Sequence, residues 1–152
     1  MINITCSDKF RNLLPVAAQW QGGHSGHYIS ARTRNGTEAT TWFPEVTHGL
    51  AKLRNGHCVV YGEVCVLDEL GRSDFNQLLD RARRRRRYPG CPDVVYCVFD
   101  LLVHRGVDIT QQPLLKRKAA LAKLLKKPLP SIMYVAHFEP TLLGCSERPS
   151  SR

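Results

Sequence analysis

The clearest alternation of apolar and polar positions lies between Cys58 and Leu67, where every second residue is a valine or a glycine. Successive side chains of a β-strand point to opposite faces of a sheet, so this pattern predicts a strand with a valine-rich face turned to the core. The other face would carry Tyr61, Glu63, Cys65 and Leu67. Glu63 is therefore predicted to point away from the core towards a polar partner, because an unpaired buried charge is costly.

Three further segments have the composition of strands. Residues 94–102, VVYCVFDLL, are nearly all apolar and predict a central strand. A shorter strand is predicted at Tyr28–Thr33, before an Arg-Asn-Gly turn at 34–36, and a last strand at Ile132–Phe138. Residues 1–27 have no sustained period, so we predict an irregular N-terminal segment there.

Helical periodicity follows three proline or capping positions. Pro44 suits the first turn of a helix predicted at 44–54, which Asn-Gly would end. Ser73 or Asp74 can cap the next helix, whose apolar residues follow the helical period. Pro113 opens a third, amphipathic helix, and its apolar face would carry Leu114, Leu121, Leu124 and Leu125.

The connections between these elements are uneven, which favours an α+β domain over a doubly wound sheet. We therefore predict a mostly antiparallel sheet with flanking helices over residues 28–139. The polar, small-residue segment 140–152 is predicted to be a disordered tail.

The charge balance suggests a partner. Lys and Arg total 22 against 13 Asp and Glu, a formal net charge of +9, which favours nucleic acid, with an anionic membrane surface as the second choice. The arginines concentrate at Arg81, Arg83, Arg84, Arg85, Arg86 and Arg87. They are either a solvated helix end or, as we prefer, a surface that binds nucleic-acid phosphates independently of base sequence.

Cysteine and histidine usage points to no metal site. None of the 6 cysteines forms a Cys-x-x-Cys pair, and several lie in predicted strands, where cysteine acts as a small hydrophobe. We interpret them as reduced, which favours the cytoplasm. His24 and His27 have no acidic or cysteine partner nearby. No uncharged apolar run is long enough to predict a membrane-spanning helix.

Four motifs in order resemble the adenylation domain of ATP-dependent DNA ligases, most closely that of bacterial ligases of the end-joining type. The order and rough spacing hold from Arg34 to Glu139. The motifs are Arg-Asn-Gly at 34–36 with Phe-Pro-Glu at 43–45, Gly-Glu at 62–63 leading through Leu-Asp and a glycine turn to Asp-Phe at 74–75, Phe-Asp-Leu-Leu at 99–102, and Pro-Leu-x-x-Arg at 113–117.

The resemblance implies a partial nucleotidyltransferase domain, ATP-grasp-like in architecture, that joins DNA strands in repair or recombination. In that family a lysine takes AMP from ATP, the AMP passes to a 5′-phosphate of DNA, and a 3′-hydroxyl displaces it, with Mg²⁺ neutralising the phosphates. Glu63 would contact the ribose hydroxyls or a metal, Phe99 would stack on adenine, and Arg34 would touch the ribose or a DNA end. ATP and Mg²⁺ are the implied cofactors, and DNA is the implied partner.

The sequence departs from the family at the nucleophile. No Lys-x-Asp-Gly motif is found; the nearest match begins at Gln19, in Gln-Trp-Gln-Gly, and a glutamine amide cannot act as the amine nucleophile. Lys9 is a second candidate that keeps only the lysine and the following aromatic residue. Tyr61 replaces the family's Asp before Gly-Glu, and the family's later lysine segments are not found. We therefore expect a truncated, catalytically impaired relative whose catalytic residue is unknown.

Two other hypotheses stay open. One is a non-catalytic remnant that binds nucleic acid through the arginines at 81–87. The other is an active enzyme that uses Lys9 or is complemented by another chain, and formation of a covalent adenylate would favour it.

Overall fold

A computed structural model describes residues 14–23, 26–53 and 56–136. In chain order these residues form strands and helices that alternate unevenly. The elements are β1 (Leu14–Gly23), β2 (Gly26–Thr33), α1 (Pro44–Leu50), β3 (Cys58–Cys65), α2 (Phe75–Arg84), β4 (Val95–His104), β5 (Val107–Asp108), α3 (Leu114–Leu124) and β6 (Ile132–Tyr134).

The strands form a single sheet in the order β2-β1-β3-β4-β5, and β6 also pairs with β4. Every pairing along that order is antiparallel, and only β6 runs parallel to β4. The predicted α+β class with a mostly antiparallel sheet is therefore confirmed. The central position of β4 agrees with its apolar sequence, since a strand paired on both sides inside a sheet is largely buried.

All three helices pack against one face of the sheet. Their apolar residues Val46, Leu50, Leu78, Leu121 and Leu124 share one core cluster with the apolar residues of β1, β3 and β4. Val60 and Val64 are fully buried there, which confirms the predicted valine face of β3. We call the opposite side of the sheet, on which none of the described helices packs, the helix-free face.

The predicted irregular segment 1–27 is wrong in part, because β1 occupies residues 14–23 and pairs with both β2 and β3. Only Val16 and Ala18 mark its core side, which is too short an alternation to identify a strand. Its pairing with β3 joins residues that lie roughly 40 to 50 positions apart in the sequence, so local pattern alone cannot find it. The limits proposed for the domain, 28–139, stay a prediction, and residues 140–152 lie outside the described residues.

The helix starts agree with the sequence better than their buried faces do. Asp74 caps α2 by accepting a hydrogen bond from the backbone NH of Gln77. In α3, however, the buried residues are Lys118, Leu121 and Leu124, and the predicted face member Leu114 is 43% exposed. Lys118 can be buried because its Nζ donates a hydrogen bond to the Val135 carbonyl over 2.8 Å.

Three element limits differ from the predictions. Helix α1 ends at Leu50 rather than at residue 54, and β6 ends at Tyr134. Strand β4 continues to His104 and turns back into β5, where a polar connection was expected. Arg105 and Gly106 make that turn with positive φ angles of 53° and 83°, which lets the hairpin close tightly. Among the described residues, no helix is both long and apolar enough to span a membrane.

Candidate functional site

The sheet register brings Glu63 and an aromatic pair together on the helix-free face. Tyr61 and Glu63 alternate with the buried residues of β3, and Cys97 of β4 lies directly opposite Glu63. A register shift between Tyr61 and Gly62 places Phe99 beside Tyr61. Their rings meet edge to face, with centroids 5.3 Å apart and planes at 89°, a favourable aromatic geometry.

Glu63 places a carboxylate on this face. The side chain is half-buried, and burial raises the pKa of its carboxyl. It has no hydrogen bond or ion pair with any other residue that the structure describes. A half-buried acid without a partner is typical of a site that binds a polar ligand, because ligand hydroxyls or cations would replace the lost hydration.

Gly62, the neighbour of Glu63, is required by packing on the core side. A Cβ at this position would lie 2.5 Å from the Cys97 carbonyl oxygen and 2.8 Å from the Tyr96 ring. The Tyr96 hydroxyl passes this point to donate a hydrogen bond to the Val16 carbonyl over 2.6 Å. The Gly-Glu dipeptide therefore combines close strand packing on one face with an unpartnered acid on the other.

Arg34 lies farther from this group. It is exposed and follows the end of β2, where Thr33 pairs with Val16 and Val16 with Gly62. Two strand spacings, about 10 Å, therefore separate the Arg34 backbone from β3. The structure thus brings Glu63 and Phe99 together and leaves Arg34 at the periphery.

Gln19 is the position that best matches the lysine of the Lys-x-Asp-Gly motif. It lies in the middle of β1. It pairs with Val59 of β3, whereas Glu63 pairs with Pro15, a difference of four residues or about 13 Å along the strand. The Gln19 side-chain nitrogen lies 2.9 Å from Nε2 of His57. Sequence analysis missed this contact, because no local signal links residues that are 38 positions apart.

The arginine segment divides into one buried residue and five exposed ones. Arg81 is 0% exposed, and its guanidinium donates to the Glu45 carboxylate over 2.6 Å and to the Trp42 carbonyl over 3.1 Å. The prediction that Arg81 contacts nucleic acid is therefore wrong in this fold, since its side chain is fully buried and its two terminal nitrogens donate to groups inside the protein. The run of arginines in the sequence gave no sign that one member would turn inwards.

Two of the exposed arginines lie against aromatic rings. The Arg84 guanidinium lies 4.3 Å from the centroid of the Tyr88 ring, and that of Arg85 lies 5.2 Å from the Trp42 ring. Arg87 forms an exposed ion pair with Asp93 at 2.8 Å. The Arg83 and Arg86 guanidinium groups have no partner among the described residues. We call Arg83–Arg87 with these two rings the basic turn.

The described residues contain no ready-made cluster of metal ligands. No group of three or more His, Cys, Asp or Glu side chains in the described ranges is arranged to hold a metal ion. Asp100, the other acid of the central strands, forms a two-point ion pair with Arg117 at 2.9 and 2.8 Å. We therefore assign no step to a metal at Glu63.

Comparison with known proteins shows the family. The family described as ATP dependent DNA ligase domain matches residues 18–140, so the chain belongs to the ATP-dependent DNA ligase family. The resemblance that the motifs suggested is thereby confirmed.

Curated relatives include bacterial end-joining proteins. The chain is 36% identical over 101 residues to the multifunctional non-homologous end joining protein LigD of Pseudomonas aeruginosa, covering 66% of the chain and 11% of that protein. It is 33% identical to the SPbeta prophage-derived DNA ligase-like protein LigB of Bacillus subtilis, covering 63% of the chain and 33% of that protein. The chain therefore spans a third or less of the length of these relatives.

Solved structures share the fold. The ligase domain of LigD from M. tuberculosis superposes with a TM-score of 0.63 at 23% identity, over 82% of this chain and 38% of that one. A mycobacterial DNA ligase D complexed with ATP and MES gives 0.57 at 24% identity, over 78% of this chain and 36% of that one. At these identities the likeness establishes the architecture alone.

Proposed function

We propose that the helix-free face binds the adenosine part of ATP, with Phe99 against the adenine and Glu63 accepting hydrogen bonds from the ribose hydroxyls. One observation carries this proposal: a half-buried, unpartnered carboxylate lies beside an aromatic pair on a face free of described helices. A carboxylate can accept from two hydroxyls at once. Arg34, at the periphery, would contact the ribose or a DNA end.

We further propose that this chain forms little or no lysyl-adenylate by itself. Gln19 offers no amine, and its amide is already bonded to His57. The described lysines support the same view, since each lies in or just after a helix on the other side of the sheet: Lys52, Lys116, Lys118, Lys123, Lys126 and Lys127. Strand joining in repair or recombination would then need Lys9 or groups supplied by another chain, and a cytoplasmic location is part of this proposal.

Nucleotide binding tests the first proposal. Isothermal titration with ATP should show binding that Glu63→Gln and Phe99→Ala each weaken about tenfold or more, since one charged hydrogen bond or one stacked base contributes about 1–3 kcal/mol. Glu69→Gln and Tyr28→Ala, which change exposed residues away from the pair, are matched controls and should bind like the unmodified chain. Absence of ATP binding, or equal losses in the controls, would reject the site.

Covalent labelling tests the second proposal, that this chain forms little or no lysyl-adenylate by itself. After incubation with α-labelled ATP and Mg²⁺, a denaturing gel should show no labelled protein. A labelled band that disappears in Lys9→Ala would overturn the impaired assignment. Gln19→Lys is the complementary variant: a new band would identify position 19 as the lost nucleophile, whereas no band would agree with its distance from Glu63 along the strand.

A second candidate function is nucleic-acid binding through the basic turn. The free guanidinium groups of Arg83 and Arg86, next to stacked Arg-aromatic pairs, favour phosphate contact without base reading. Replacing both residues with Ala should weaken duplex DNA binding and reduce the salt slope by about 2. The double variant Lys126→Ala with Lys127→Ala removes the same charge elsewhere on the surface. It should change neither DNA binding nor the salt slope. Binding that is independent of salt would exclude this function.

A further inference from the structure

The buried guanidinium of Arg81 contacts both chain segments that carry the basic turn. Its Nη1 donates to the Trp42 carbonyl over 3.1 Å and to the Arg86 carbonyl over 2.5 Å. Its Nη2 donates to the Glu45 carboxylate over 2.6 Å, and the guanidinium carbon lies 5.8 Å from the centroid of the Phe43 ring. One side chain therefore links the segment before α1 to the turn after α2.

Both carbonyls that Arg81 contacts belong to residues of the basic turn. Trp42 supplies the ring against which the Arg85 guanidinium lies, and Arg86 is the next residue along the turn. Arg85 itself has a left-handed backbone, with φ 53° and ψ 22°. Few residues other than glycine adopt this conformation, and it persists where surrounding contacts hold it in place. The two hydrogen bonds from Arg81 supply such contacts on both sides of Arg85.

We propose that Arg81 is the positioning residue of the basic turn. It touches no nucleic acid itself, and it raises affinity by holding the exposed guanidinium groups of Arg83–Arg87 in one arrangement before the phosphates arrive. The inference rests on the proposed nucleic-acid binding through the basic turn. Side chains that are ordered in advance lose less conformational entropy on binding, so a fixed turn binds more tightly than a mobile turn of equal charge. The alternative is that Arg81 only stabilises the fold as a whole.

The variant Arg81→Lys separates these two roles. Lysine keeps the positive charge beside Glu45, but its compact ammonium cannot reproduce the planar fork that reaches two carbonyls and a carboxylate. Affinity for duplex DNA should fall about threefold to tenfold, whereas the salt slope should stay unchanged because no phosphate-contacting charge is lost. Arg83→Ala, by contrast, should reduce the slope by about 1. Arg72→Lys makes the same substitution outside the basic turn and should change neither affinity nor slope.

Limited proteolysis provides a readout that does not depend on DNA. Trypsin cleaves after arginine and lysine, so a brief digestion followed by mass spectrometry compares the bonds after Arg83–Arg87 with the bond after Lys126 in the same sample. In Arg81→Lys the basic turn should be cut at least about fivefold faster relative to Lys126, because cleavage follows local opening of the backbone. A general loss of stability would instead raise the cleavage rates at both places alike.

A double variant covers the case in which circular dichroism shows that Arg81→Lys does not fold. Glu45→Leu with Arg81→Met removes both buried charges and leaves the net charge unchanged, and it carries the same two expectations. The inference is overturned if the folded variant binds DNA like the unmodified chain, or if cleavage rises equally at both places. DNA binding that depends on Arg83 but not on Arg81 would overturn the positioning role alone. A chain that binds no DNA would overturn the basic turn as a binding surface as well.

Discussion

The guanidinium of Arg81 and the carboxylate of Glu45 form an ion pair at 2.6 Å in which the side chains are 0% and 7% exposed. Arg81 also donates to the Arg86 carbonyl over 2.5 Å. The pair thus joins α2 to α1 and fixes the backbone of the basic turn. One arginine of the charge run is a structural support for the others, which stay exposed.

Breaking this pair on one side should be strongly destabilising. Glu45→Gln or Arg81→Ala is expected to lower the free energy of unfolding by about 3–5 kcal/mol, because the remaining charge is buried without its partner. Arg83→Ala, an exposed neighbour in the same helix, should change it by less than about 0.5 kcal/mol. Urea unfolding followed by circular dichroism measures all three.

The double variant Glu45→Leu with Arg81→Met provides a check on the mechanism. It should be less destabilised than either single variant, since removing both charges removes the desolvation penalty. Glu45 Oε2 and Arg81 Nε lack hydrogen-bond partners among the described residues, which strengthens this expectation. Additive losses would contradict the buried-charge explanation.

The Tyr96 hydroxyl should contribute measurably to joining β4 to β1. Tyr96→Phe leaves the Val16 carbonyl without this 2.6 Å donor and is expected to cost about 1–3 kcal/mol of unfolding free energy. Tyr61→Phe removes a hydroxyl from the next strand, on the opposite face of the sheet, and serves as the control. Equal unfolding midpoints for the two variants would show that the buried hydrogen bond contributes nothing.

Two arginine–aspartate pairs should differ in strength because they differ in exposure. Arg117→Lys breaks a two-point pair with Asp100, whose side chains are only 16% and 14% exposed, and should cost about 1–3 kcal/mol. Arg72→Lys alters the pair with Asp68, in which Arg72 is 73% exposed, and should cost less than about 1 kcal/mol. Thermal melts of both variants decide the comparison.

Glu63 should reduce stability at neutral pH. Because burial raises its pKa in the folded protein, its favourable contribution is present below the ordinary glutamate value of about 4.3 and is lost as the pH rises through the raised value. Glu63→Gln is therefore expected to raise the melting temperature at about pH 7 and to leave it unchanged near pH 4. Glu69→Gln should match the unmodified chain at both pH values, and a lower melting temperature for Glu63→Gln at neutral pH would contradict the assignment.

Local pattern predicted much of this fold. Alternation of residue types identified β3 and its valine face, because successive side chains of a strand point to opposite faces of the sheet. The Asp74 cap and the apolar run of β4 were likewise visible over a few positions. The motifs around Glu63 and Phe99 identified the family, which the match over residues 18–140 confirms.

Contacts between distant residues could not be predicted in this way. The inward turn of Arg81 depends on Glu45, which is 36 positions away, and the burial of Lys118 depends on the Val135 carbonyl. Strand β1 became recognisable only through its pairing with β2 and β3. In each case a polar or weakly patterned residue is stabilised by a partner that sequence spacing does not reveal.

The sequence by itself therefore determined the family, the face of β3 on which Glu63 lies, and the basic character of the segment after α2. Only the tertiary structure decided which arginines are available to a ligand and that Tyr61 packs against Phe99 beside Glu63. The physical reason is that side-chain direction follows from local backbone geometry, whereas burial and partnership follow from the register between strands and the packing of helices on the sheet.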